Sequence, residues 1–275
     1  MGDLSRAENL FREALRIAED QLGSRHPQTI DYLHNLAVIL QQQSKLSDAE
    51  PLFVKAIDLF RSVNGPDHHD LSVAMGNYGR LLYQKRDYER AEEVLEEALT
   101  LAIRIRGEDH PDVGFHKQNL GRLYGDIGDF RQAERYLTEA VEFYKNKFGK
   151  VHARVASALV DLGEAEIKRN ESATAEPLLR EALEIEASVL PEDHWFGFHT
   201  RSLMGQALTD QGRYEEAEPL LLGSYSALTE TFGHSDRRSA DSISRLVKLY
   251  EKWDRPEKAA EYQALLEKPL SEAPQ

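Results

Sequence analysis

Asn35, Asn77 and Asn119 are spaced 42 residues apart, as are Tyr88 and Phe130 and the series Ala49, Ala91, Ala133, Ala175, Ala217 and Ala259. An uninterrupted period of this length marks one supersecondary unit that cannot bury its apolar face alone and does so by stacking on copies of itself. The 275 residues therefore count repeats, and function is expected on surfaces instead of in one central pocket.

Within each period the apolar residues follow helical spacing. Leu33, Leu36, Ala37, Ile39 and Leu40 mark a first helix that opens at His26-Pro27 or its counterparts. A polar turn follows, such as Gly128-Asp129-Phe130 or Gly212-Arg213-Tyr214, and a second helix runs from the aromatic through an Ala-Glu pair to a glycine. The closing glycines, Gly65, Gly107, Gly149 and Gly233, suit a left-handed helix end, and Pro191 replaces one of them. Full repeats are predicted over 26–67, 68–109, 110–151, 152–193 and 194–235, a capping repeat over 236–267 and a flexible tail over 268–275. Residues 4–22 align with second helices and have no first helix, so 1–267 reads as one solenoid that begins with an orphan half-repeat. Its bare outer face suggests either the C-terminal array of a larger protein or self-association through that helix. The fourth full repeat has Arg169-Asn170-Glu171-Ser172 where its neighbours have a glycine-aromatic turn, so its hairpin is expected to be looser.

Lysine plus arginine minus aspartate plus glutamate gives 34 − 48 = −14, which disfavours general attraction to nucleic acid or anionic membranes. The absence of cysteine removes disulfides and thiolate chemistry and fits a reducing cytosol, so a cytoplasmic location is expected. No apolar run approaches membrane-spanning length.

The small and aromatic positions carry a family resemblance. Gly79, Tyr88, Ala91, Leu95 and Ala98 resemble the tetratricopeptide signature, as do Gly121, Phe130, Ala133, Leu137 and Ala140, and Gly205, Tyr214, Ala217, Leu221 and Ser224. The period, the His-Pro openings and the strings AEPLF and AEPLL are similar to kinesin-light-chain-type tetratricopeptide repeats. The last two units resemble the C-terminal ends of bacterial serine/threonine kinases that carry such repeats, although no kinase motif is present in this sequence. The resemblance implies an all-α, right-handed superhelix of helical hairpins acting as a protein–protein interaction scaffold. It also implies, as an alternative, the regulatory or sensor region of a bacterial signalling kinase, with an upstream kinase domain as partner.

The histidines at 26, 68, 110, 152 and 194 invite a metal reading. Equivalent points on stacked helices lie roughly 8–10 Å apart, whereas zinc ligands sit at about 2.1 Å from one ion. The spacing favours a structural role at the start of each first helix. His68-His69, with Asp67 and Asp70, is the one local cluster, and a solvated helix start is favoured there too. Hydrolase and nucleotide-binding signatures are absent, so no catalysis, metal or cofactor is expected.

In the resembled family the first helices line a concave groove, and an asparagine ahead of the small residue grips the backbone of an extended peptide. Asn35, Asn77 and Asn119 match that position, whereas Asp161, Leu203 and Arg245 depart from it. Arg80 and Arg122 lie three residues beyond two of these asparagines and share their helix face, a basic pair suited to an acidic partner. Lysine is absent at His34 and Gly76, so a chaperone-type carboxylate clamp is not supported. Arg245, Lys248 and Lys252 form a second basic stripe, with the acidic Asp161, Glu164 and Asp210 between, which suggests a charge-patterned protein or peptide ligand.

Overall fold

A computed structural model of the chain describes residues 2–234 and 236–266; the tail expected over 268–275 lies outside them. Among the described residues there are thirteen α-helices and no strand. They fall into two compact units, Met1–Ile127 and Gly128–Gln275. The first holds α1 (Gly2–Leu22), α2 (Pro27–Gln42), α3 (Leu46–Asn64), α4 (His69–Gln84), α5 (Tyr88–Arg106) and α6 (Pro111–Ile127). The second holds α7 (Phe130–Phe148), α8 (Ala153–Lys168), α9 (Ser172–Val189), α10 (Trp195–Asp210), α11 (Tyr214–Phe232), α12 (Arg237–Lys252) and α13 (Pro256–Leu266). In each unit a first helix packs on its own second helix and on the next first helix: α2 on α3 and α4 in one, α10 on α11 and α12 in the other. The chain is the all-α array of stacked helical hairpins that its period predicts.

The repeated histidines start helices. His26, His68, His152 and His194 are N-caps whose ring Nδ1 accepts a hydrogen bond from the backbone N–H two residues on, at 3.3, 3.4, 3.1 and 3.3 Å. His110 Nδ1 accepts from Asp112 N at 3.3 Å, and Asp236 takes the same role in the last hairpin. Each satisfies one of the backbone donors that a helix start leaves unpaired.

Small residues set the distance between the helices of a hairpin. Ala49 and Ala91 in the first unit and Ala133, Ala175 and Ala217 in the second are fully buried. A Cβ on Gly79 would lie 2.6 Å from Leu95 Cγ, and one on Gly205 would lie 2.6 Å from Leu221 Cγ. The glycine is therefore required by close approach and not by backbone conformation.

Five hairpin turns and the link from α6 to α7 place Ser44, Arg86, Asn170, Gly212 and Asp254, and Gly128, at φ between 55° and 86°. The looser fourth hairpin expected from Arg169-Asn170-Glu171-Ser172 is not found. Asn170 N donates to Ile167 O at 3.0 Å and Glu171 N to Glu166 O at 2.8 Å, the bonds that Gly212 N and Arg213 N make to Thr209 O and Leu208 O. The turn needs a left-handed residue rather than a glycine, and asparagine is among the side chains that tolerate that region best. The closing glycines also differ from the left-handed end expected of them. Gly65, Gly107, Gly149 and Gly233 have φ 80–90° with ψ 165–169°, an extended mirror region that is essentially glycine-only.

The glutamate of the Ala-Glu pair ties successive hairpins together. Glu50 binds Lys85, and its Oε1 accepts from Tyr78 Oη at 3.3 Å; Glu92 accepts from Tyr124 Oη at 2.8 Å. In the second unit Glu134 pairs with Arg169 at 2.8 Å, Glu176 with Arg213 at 2.7 Å and Glu218 with Lys258 at 2.8 Å.

Two stability predictions follow from these contacts. Gly205→Ala destabilises the chain by about 1–3 kcal/mol through overpacking, whereas Gly223→Ala, where a Cβ meets nothing within 4 Å, stabilises it by up to about 1 kcal/mol. Chemical denaturation followed by circular dichroism distinguishes them. Lys85 holds Glu50 below its ordinary value and Lys258 does the same for Glu218; for Glu176 burial acts upward and is outweighed by Gln211, Arg213 and Arg180. A lowered folded pKa gives stability that is present above the ordinary value of 4.5 and lost as pH falls through the folded one. The melting temperature should therefore fall on acidification below that value, and less steeply in Glu176→Gln.

Candidate functional site

Between α2 and α4 the polar residues interlock. Asn77 Nδ2 lies 3.2 Å from His34 Nε2; an amide nitrogen only donates, so the ring accepts and is the neutral Nδ1–H tautomer. Burial pushes His34 down to about 4, which keeps it neutral near pH 7. Gln41, 2% exposed, donates to Gln84 Oε1 at 2.9 Å and accepts from Arg80 Nη2 at 3.2 Å.

Arg80 is the electrostatic anomaly of this face. Its Nε is shut off from solvent with no hydrogen-bond partner, and no carboxylate pairs with it among the described residues. Burial, with the nearby Arg122 cation, lowers it to about 10, still high enough to keep the guanidinium charged at neutral pH. Arg122 on α6 lies with its guanidinium carbon 5.6 Å from the centre of the Tyr83 ring.

The asparagines occupy the three first helices of the first unit but do unlike things. Asn77 is committed to His34. Asn35 is half-buried and its side chain makes no hydrogen bond among the described residues. Asn119 is 7% exposed and its Nδ2 has no partner.

Sequence reasoning passed over His116. It is fully buried on α6; its Nε2 donates to Ser72 Oγ at 3.0 Å, and that hydroxyl donates to Ala98 O at 3.3 Å. A Cβ on Gly76 would meet the ring at 2.4 Å. The signal was Gly76 itself, a glycine where counterpart positions carry His34, Gln118, Val160, Ser202 and Ser244.

The second unit's first helices balance their charges internally. Arg245 donates to Gln206 Oε1 at 2.8 Å and Ser202 Oγ at 3.0 Å. Lys248 and Lys252 both reach Asp210, at 2.8 and 2.7 Å. Glu164 pairs with Lys168 at 2.8 Å; burial would raise it, but Lys168, His199 and Arg245 bring it down to about 2.

His68, His69 and Asp70 bring three potential metal-ligand atoms within 4.8 Å of one another at the start of α4. One ring nitrogen of each histidine is already engaged. His68 Nδ1 caps the helix, and His69 Nε2 lies 2.8 Å from Asp70 Oδ1. No helix among the described residues is long and apolar enough to cross a membrane.

Tetratricopeptide repeat family models match residues 1–62, 33–103 and 82–146, and further ones match 119–188 and 199–238. No curated protein matches the chain. Among solved structures it is similar to BtubC (BKLC) from P. vanneervenii, at 21% identity over 85% of this chain and 92% of that one, with a TM-score of 0.65. A putative kinesin light chain of Podosopora anserina with nearly identical repeats is 20% identical over 75% of this chain and 98% of its own, at 0.59. A Rap protein complexed with Competence and Sporulation Factor is 12% identical over 96% and 84%, at 0.63. At these identities the likeness concerns the fold alone. With repeat matches reaching from residue 1 to residue 238 on hairpins built from close-packed small residues, the chain belongs to the tetratricopeptide repeat family.

Proposed function

We propose that the chain is a cytoplasmic protein–protein interaction scaffold, without catalysis of its own, that takes an acidic segment of a protein partner on the face formed by α2, α4 and α6. The observation that carries this reading is Arg80, a partly buried cation that lies beside the Arg122 cation and itself pairs with no carboxylate among the described residues. A buried charge without a counter-ion is costly, and a carboxylate arriving from a partner would remove that cost with a charge-assisted hydrogen bond. Arg122 would extend the contact, and the unpaired amide of half-buried Asn35 would meet the partner's backbone, while Asn119 lies buried beneath this face. Arg245, Lys248 and Lys252 belong to the binding face of the second unit. With Asp210 and Glu164 in place they favour polar contacts over strongly acidic ones. The similar Rap protein complexed with Competence and Sporulation Factor is a precedent for ligand binding by an array of this fold.

A second reading, self-association through α1, is favoured by Leu10, Ile17 and Leu22, which are 59%, 38% and 45% exposed. Sedimentation over a range of concentrations tests it separately.

A library of charge-patterned peptides, read by fluorescence anisotropy, tests the main reading. Binding should select peptides with clustered Asp or Glu. Arg80→Gln should weaken it by at least about tenfold, or about 1.4 kcal/mol, and Lys252→Gln by less than about twofold. Arg122→Gln, at an exposed position, gives a milder second variant. Affinity unchanged in both arginine variants would sink the reading.

A further inference from the structure

The repeat provides an internal comparison at every core position. Glu186 on α9 is 4% exposed, and its counterparts in the other repeats, Ala18, Phe60, Ala102, Tyr144 and Leu228, are all buried and lack a carboxyl group. Opposite it, Gly197 on α10 stands where the three preceding repeats bury Leu71, Val113 and Val155. A Cβ on Gly197 would sit 3.8 Å from Glu186 Oε2, an ordinary contact distance, so the carboxyl group borders the space that a larger side chain at position 197 would enter. The two departures fall at one contact between consecutive repeats, where α9 packs on α10.

The hydrogen bonding around this carboxyl group suits its neutral form. Thr200 Oγ1 is 2.8 Å from Glu186 Oε1 and 3.1 Å from Phe196 O, and Oε2 has no partner. Protonated, Glu186 donates to Thr200 Oγ1, which donates onward to Phe196 O, and both hydroxyl protons are used. Ionised, it has one donor, the Thr200 hydroxyl, and an otherwise unsatisfied charge in an apolar slot, a costly arrangement. Of the charged groups on the helices packed against α9, only Arg201 of α10 acts on it, and none on α8 does. Arg201 makes no ion pair with it; its guanidinium lies 5.2 Å from the Phe198 ring. The nearby histidines are engaged elsewhere, His194 as an N-cap and His199 toward Glu164.

We infer that Glu186 is a proton-binding site that makes the junction between α9 and α10 tighter in mildly acidic solution and looser above neutrality. Burial pushes its carboxyl up to about 7, against which Thr200 and Arg201 act weakly. The folded pKa lies above the unfolded one, so the folded state holds the proton where the unfolded chain has lost it. The stabilisation is therefore complete at pH below the ordinary value of 4.5, declines as pH rises toward about 7, and is lost above it. This sign is opposite to that of the Glu50, Glu176 and Glu218 clasps.

Carboxyl carbon NMR of the full chain, with Glu186 assigned by its loss in Glu186→Gln, reads the titration directly. Amide-exchange protection along α10, corrected for the intrinsic rate, reads the junction. In the wild type, protection should drop by about tenfold between about pH 6 and about pH 8, and in Glu186→Gln by less than about twofold. Glu186→Leu, which restores the residue found at position 228, should be flat across the same range and better protected than the wild type above neutrality. A Glu186 carboxyl that titrates in the ordinary glutamate range would overturn the inference. So would equal pH dependence in the wild type and both variants.

Discussion

The Ala-Glu pair at the start of each second helix is the constraint from which the rest of the array is built. Its alanine has almost no side chain, so the two helices of one hairpin can approach until Gly79 or Gly205 touches a leucine across the gap. Its glutamate, one residue on, points to the next hairpin and closes on a lysine, an arginine or a tyrosine hydroxyl there. Two adjacent residues thus set both spacings of the stack, within a hairpin by van der Waals contact and between hairpins by charge. The second is the softer of the two. Exposed ion pairs contribute little individually, and contacts between repeats therefore rest mainly on apolar slots such as those of Phe60 and Leu71. Replacing one such slot by a carboxyl group, as at Glu186, acts where an array has least redundancy.

Electrostatics separates the first helices of the two units more sharply than their sequences suggest. Both carry arginines and lysines, and the net charge of −14 says nothing about where counter-charges fall. On α12 the cations are matched by Asp210, with side-chain exposure of 15%, and by Glu164. On α4 the charge that acts on Arg80 is another arginine, Arg122. A ligand of opposite charge gains most where the protein has left a charge unbalanced, because no internal ion pair must first be broken.

The fold was legible because an exact period is a statement about packing. Small residues, helix caps and turn positions all recur at 42, and the structure uses each for one physical purpose. What was misread depended on conformation instead of residue type. The Asn170 turn matches its glycine counterparts because six different turns need only a left-handed φ, and the closing glycines adopt a ψ that residue identity alone does not reveal. At the candidate site, the asparagine and arginine positions could be marked in the sequence. Their partners could not, since pairing of Asn77 with His34 or of Arg80 with Gln41 depends on which side chains meet across two helices, 43 and 39 residues apart.

A repeat protein also carries its own controls, and this is where a single sequence becomes informative about function. A residue that agrees with its counterparts answers to the common architecture, as His152 and Ala175 do. One that disagrees with all of them answers to something local. Gly76 with His116, and Gly197 with Glu186, are two such departures; at the first a missing side chain makes room for the imidazole, and at the second the glycine faces a buried carboxyl group on a neighbouring helix. Burying a polar group costs free energy that an apolar pair would not, so neither pair is what packing alone would select. The buried imidazole answers that cost with a bond to Ser72 and a neutral ring, pushed down to about 4. The buried carboxyl answers it only while protonated, and that difference makes the second pair responsive to pH near neutrality while the first stays neutral there.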